Sequence, residues 1–69
     1  MKTELILLLY DALLRGEAVP RMKFCGEHKI SERTFYRYLR VVSEFLRSYK
    51  PAYFIDIAEQ NSVYYMKKN

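Results

Sequence analysis

ISERTFYRYLRVVSEFLRSY, residues 30–49, is the stretch on which the reading of this chain turns. Ser31 suits a helix N-cap, because its hydroxyl can accept from the free N–H groups of a first turn. Glu32 then sets a negative charge at the positive end of the helix dipole. At about 100° per residue, Phe35, Tyr38, Leu39, Val42, Phe45, Leu46 and Tyr49 fall within an arc of roughly 120°. Arg33, Tyr36, Arg37, Arg40 and Arg47 take the other side, interrupted only by Glu44. The spacing predicts a helix over 31–49 with one face to bury and one that suits a negatively charged partner.

Upstream, Leu5, Leu8, Leu9, Ala12 and Leu13 recur at helical spacing, and Ile6 and Leu14 widen the stripe. They predict a helix over about 3–15, capped by Thr3 and stopped by Gly16, which enters left-handed angles without strain. Val19 reads as a brief extended segment ahead of Pro20, and proline fits the first turn of a helix. A shorter helix is expected over about 20–28, with Met22, Phe24, Cys25 and His28 inward; Gly26 costs it up to about 1 kcal/mol. Lys29 and Ile30 then make a tight turn into Ser31. Beyond Tyr49, Pro51 ends the third helix. Residues 53–57 and 63–66 are β-rich runs around a Glu59-Gln60-Asn61-Ser62 turn, which predicts a hairpin over about 53–66. Its inward side should be Ile55, Ile57, Tyr64 and Met66.

A chain of 69 residues makes one small domain, and a domain of that size buries only about 60% of its unfolded surface. With 51% hydrophobic and 16% aromatic residues, and two glycines and two prolines, it is neither disordered nor a linker. The net charge of +4 and a pI near 9.3 permit a polyanionic partner without establishing one. A single cysteine, Cys25, excludes an intrachain disulfide and fits a reducing compartment. The apolar run at 5–9 is far shorter than the roughly 20 residues a membrane span needs. The expectation is a cytoplasmic protein with no membrane partner. Met1 reads as a natural start and nothing marks Asn69 as a natural end, so the chain is expected to be either complete or the N-terminal piece of a longer regulator.

The order helix, helix, helix, hairpin gives the expected fold class: mainly α with a small β-hairpin, a three-helix winged helix-turn-helix spanning 1–69. Here the residues resemble a family. Gly16-Glu17-Ala18-Val19, then Phe24-Cys25 and Ile30-Ser31-Glu32-Arg33-Thr34-Phe35, look like the winged helix-turn-helix of DeoR-type repressors, the module that also opens WYL-domain bacterial regulators. That pattern has glycine then valine before the second helix, and a leucine–alanine pair within it. Valine-serine-x-arginine-threonine-isoleucine opens the next helix. Phe24 and Cys25 stand at the leucine–alanine pair, and Arg37 matches the arginine after the threonine. The chain differs at Pro20, His28, Lys29, Tyr36 and Tyr38, where the family more often has a capping hydroxyl, an apolar residue, a glycine, glutamine and aspartate. The resemblance implies sequence-specific binding of double-stranded DNA by a transcriptional regulator, most simply a repressor.

On a lone helix these arginines would be a solvated face; on the second helix of a helix-turn-helix they face a major groove. There arginine can donate two parallel bonds to guanine N7 and O6. Arg33 and Tyr36 are expected at base edges, and Ser31, Thr34, Arg37 and Arg40 at phosphates, which set position rather than sequence. Lys67, with Lys68, either touches a phosphate or belongs to a frayed tail. A hairpin tip bearing Glu59 and no basic residue gives no support to a strong minor-groove contact. Useful affinity calls for a homodimer on half-sites about 10 bp, roughly 34 Å, apart, with the wide apolar face of the first helix as the dimer surface. The competing reading is a winged-helix protein-interaction module that does not bind DNA. No enzyme activity, cofactor, metal or small-molecule site is expected. Cys25 and His28, one turn apart, supply too few ligands for zinc and lack an orienting third group for catalysis.

Overall fold

The computed structural model describes residues 2–58, 60 and 62–69, with Lys2 by its backbone alone. Helix α1 spans Lys2–Leu14 and buries Leu9 and Leu13, one turn apart, almost completely. Thr3 therefore lies inside the first turn and not ahead of it as a cap. The C-terminus closes in a Schellman motif: Gly16 N–H donates to Leu13 O at 3.0 Å and Glu17 N–H to Ala12 O at 3.1 Å. Gly16 carries the positive φ, +82°, that this closure demands. Leu8 was predicted inward but stays 46% exposed, because the packed face of α1 is centred on Leu9 and Leu13.

Val19–Pro20 form a short strand, β1, that the sequence did not pair with anything. It joins β2 (Tyr53–Ala58) and β3 (Val63–Lys68) in an antiparallel sheet of order β1-β3-β2, with Val19 opposite Tyr64 and Pro20 opposite Val63. A proline is tolerated because β1 is an edge strand. Helix α2 then runs Arg21–His28, one residue later than predicted, with Pro20 as an extended N-cap that makes no side-chain cap. Arg21 N–H donates to Ser62 O at 2.7 Å, so the hairpin satisfies the first N–H of α2, one that a capping serine or threonine, which accepts from the second or third, would leave open. Phe24 is buried and Cys25 and His28 half-buried, but Met22 is 75% exposed. Met22 lies about 200° around the helix from Phe24, and a helix this short has one covered face.

Lys29 closes α2 in the left-handed region, at φ 54° and ψ 49°, and its N–H donates to Cys25 O. Ile30 N–H donates to the same carbonyl at 3.1 Å. A side chain with a Cβ is strained here by about 1–2 kcal/mol. Lys29→Gly should therefore raise the stability of the fold by about 1 kcal/mol after the extra freedom of an unfolded glycine is subtracted. A urea titration should show a higher midpoint at unchanged slope.

Helix α3 covers Glu32–Tyr49, with Ser31 as its N-cap: Thr34 N–H donates to Ser31 Oγ at 3.1 Å. It buries Phe35, Tyr38, Leu39, Val42 and Leu46. Phe45 and Tyr49 belong to the predicted stripe yet stay 41% and 73% exposed. Tyr10 meets Phe45 edge-on at 5.5 Å and Tyr49 stacks on Phe45 at 5.0 Å, so these rings cover each other at the margin of the packed face. The hairpin pairs Ile55 with Met66 and Ile57 with Tyr64. Tyr64, on the central strand, is buried, whereas Ile57, on the edge strand, is 45% exposed and not inward as predicted. Of the predicted turn, Glu59 and Asn61 lie outside the described residues; Gln60 is left-handed at φ 57°. Phe35 is the hub of the core, with ring centroids 5.6 Å from Phe24 and 5.4 Å from Tyr64.

Candidate nucleic-acid interface

Arg33, Tyr36, Arg37 and Arg40 line one shallow, open concavity on the outer face of α3. Their spacing brings them together by local geometry alone, since residues three, four and seven apart share a helix face. The three arginines are exposed and make no ion pair among the described residues. Ion pairs form elsewhere: Arg15 reaches Asp11 at 3.3 Å and Glu17 at 3.4 Å, and Arg21 approaches Glu32 at 3.8 Å. Three like charges over about 10 Å of helix axis repel one another and raise the local potential, which favours an incoming anion.

Ser31 and Thr34 stand at the start of the same helix, where Ser31 Oγ donates to Thr34 Oγ1 at 3.1 Å. Both hydroxyls are thus already part of the cap. Arg47 lies further along, beside Ser43, Pro51 and the first residues of β2. Lys67 is apart from the concavity: it is exposed on β3, opposite Phe54. Lys68 Nζ sits 5.8 Å over the Tyr53 ring.

Tyr36 is held from behind by a residue the sequence did not single out. Arg21 Nη1 donates to Tyr36 Oη at 3.1 Å, and the Tyr64 ring stands edge-on to that of Tyr36 at 6.5 Å. The tyrosine hydroxyl is engaged internally while its ring remains 42% exposed beside the arginines. One signal could have flagged Arg21. A cation in the first turn of a helix opposes the dipole, so it needs anionic or hydroxyl partners such as Glu32, Tyr36 and Tyr64.

Burial pushes the Tyr64 hydroxyl above the ordinary tyrosine range, its hydrogen bond with Tyr36 adds to this, and Arg21 pulls the other way. The folded state therefore holds this proton more tightly than the unfolded chain does. Its contribution is fully present below pH about 10 and is lost as pH rises through the folded value. Thermal melts should fall in Tm above about pH 10, and Tyr64→Phe should flatten that fall.

Burial also raises the Cys25 thiol, whose Sγ approaches Ser31 O at 3.9 Å. His28 tilts against Phe24 at 4.4 Å. Among the described residues no group of three or more histidine, cysteine, aspartate or glutamate side chains is placed to hold a metal. No helix among them is long and apolar enough to cross a membrane. Comparison with known protein families, curated proteins and solved structures gives no match to this chain.

Proposed function

We propose that the chain is a winged helix-turn-helix that binds double-stranded DNA sequence-specifically as a transcriptional regulator, most simply a repressor. In this reading α2, the Lys29 turn and α3 form the helix-turn-helix, and β2 and β3 form the wing. The observation that carries it is the arginine face of α3: Arg33, Arg37 and Arg40 project together with no ion pair among the described residues. A major groove about 12 Å wide admits one helix, and arginine is the side chain best suited to guanine edges and phosphates there. Arg33 and Tyr36 are assigned to base edges, and Ser31, Thr34, Arg37, Arg40 and Lys67 to the backbone.

Selection from a random duplex library is the direct test. Enrichment of one sequence, bound with a slope of log K against log salt near −4 to −5 for about five neutralised phosphates per copy, is the expected result. A protein-interaction role for the same fold has its own support in the apolar surface between α1 and α3. It would be preferred if the parent chain retards no duplex of any sequence at low salt.

A further inference from the structure

We infer that the exposed apolar surface shared by α1 and α3 is the docking face for a second copy of this chain. It centres on a groove lined by Ile6, Leu7, Tyr10, Val41, Val42 and Phe45, with no charged side chain among them. Tyr49 extends the surface by stacking on Phe45 at 5.0 Å. Leu14, two turns beyond Leu7, continues it along α1 by helical spacing. Leu7 is 59% exposed, Leu14 49%, Val41 44%, Phe45 41% and Tyr49 73%.

Three considerations select the occupant. The first is charge: a groove without charged walls offers nothing to a nucleic acid or an acidic peptide. The groove between α1 and α2, by contrast, is edged by Glu17, Lys23 and Glu27. The second is shape. Two adjacent helices with apolar ridges and a furrow between them are complemented by another such pair, and a two-fold axis presents a surface to its own copy. The third is area. The exposed parts of these side chains come to on the order of 500 Å² per copy, so two copies would bury roughly 1,000 Å², the lower limit of a specific interface. A patch of that size falls in the range of the largest apolar patch on a monomer, which is often an interaction site, and a dimer built on it is weak and concentration-dependent. By helical spacing Val41 and Phe45 lie on one flank of the arginine face of α3, with Arg37 next to Val41 and with Arg33 and Arg40 further round. The inference does not depend on DNA binding.

Sedimentation of the full chain without DNA tests it, from about 5 to 500 µM, the range a small interface calls for. The parent should rise from its 8.3 kDa monomer mass toward twice that value. Leu7→Glu and Tyr49→Glu, both at exposed positions that tolerate the charge, should each weaken the dimer at least tenfold. Met22→Glu, at the exposed methionine of α2, should leave it unchanged. In the parent, nuclear magnetic resonance shifts that move on dilution should cluster at Leu7, Val41, Phe45 and Tyr49. A parent that stays monomeric throughout overturns the inference. So does a dimer that survives both glutamates, one that Met22→Glu weakens equally, or dilution shifts centred elsewhere.

Discussion

Alanine at both Arg33 and Arg37 is expected to weaken duplex binding by about a hundredfold, with the fold intact. A good arginine contact to a base contributes about 1–3 kcal/mol of discrimination. A lost phosphate contact costs affinity on every sequence and makes the salt slope shallower by about 1. Two such losses together come to about 3 kcal/mol, or roughly two decades in affinity. The single variants should differ in kind. Arg37→Ala should weaken selected and random duplexes alike, while Arg33→Ala should cost more on the selected sequence and relax its preference. Because neither arginine is buried or ion-paired among the described residues, melting should be unchanged for both. A mobility-shift titration at two salt concentrations reads all of this. Variants that bind as the parent does would remove the DNA reading, whatever the oligomeric state proves to be.

Phe35→Ala should produce the largest loss of stability available to a single substitution in this chain. Phe35 is fully buried and meets the rings of Phe24, Tyr64 and, at 6.2 Å, Tyr36. Truncating such a phenylalanine costs about 3–5 kcal/mol through lost transfer energy and the cavity left behind. A domain of this length has only about 3–10 kcal/mol in total. The variant should melt about 20 °C lower or more and be partly unfolded at room temperature, because each kcal/mol shifts the midpoint by about 4–8 °C in so small a domain. Met22→Ala, at 75% exposure and away from the α1–α3 face, is the control and should cost under about 1 kcal/mol. A small effect at Phe35 would mean that the three helices and the sheet do not share one core.

Arrangements within one element were legible in the sequence, and contacts between elements were not. The candidate site was legible because Arg33, Tyr36, Arg37 and Arg40 lie within eight consecutive residues of one helix, and a helix fixes the relative directions of its own side chains. Arg21 was not legible. It reaches Tyr36 across 15 positions of sequence, and no periodicity within either helix reports that approach. Met22, Phe45, Tyr49 and Ile57 are apolar residues the sequence turned inward and the structure leaves exposed. Hydropathy says what a side chain gains by burial; only the neighbouring elements decide how much cover is available.

The sequence by itself determined the order of helices and hairpin, the Ser31 cap, the Gly16 stop and the two faces of α3. Each of these follows from short-range rules of propensity, capping and a repeat of 3.6 residues. Tertiary structure alone decided that Val19 and Pro20 add a third strand to the hairpin, and that Ser62 supplies the first acceptor of α2. It also decided which margin of the α1–α3 apolar surface stays in water. The added strand and the Ser62 acceptor depend on pairing between residues more than forty positions apart, and the α1–α3 margin on contacts such as Tyr10 with Phe45. In both, closing a long loop is balanced by burial that no local pattern can register.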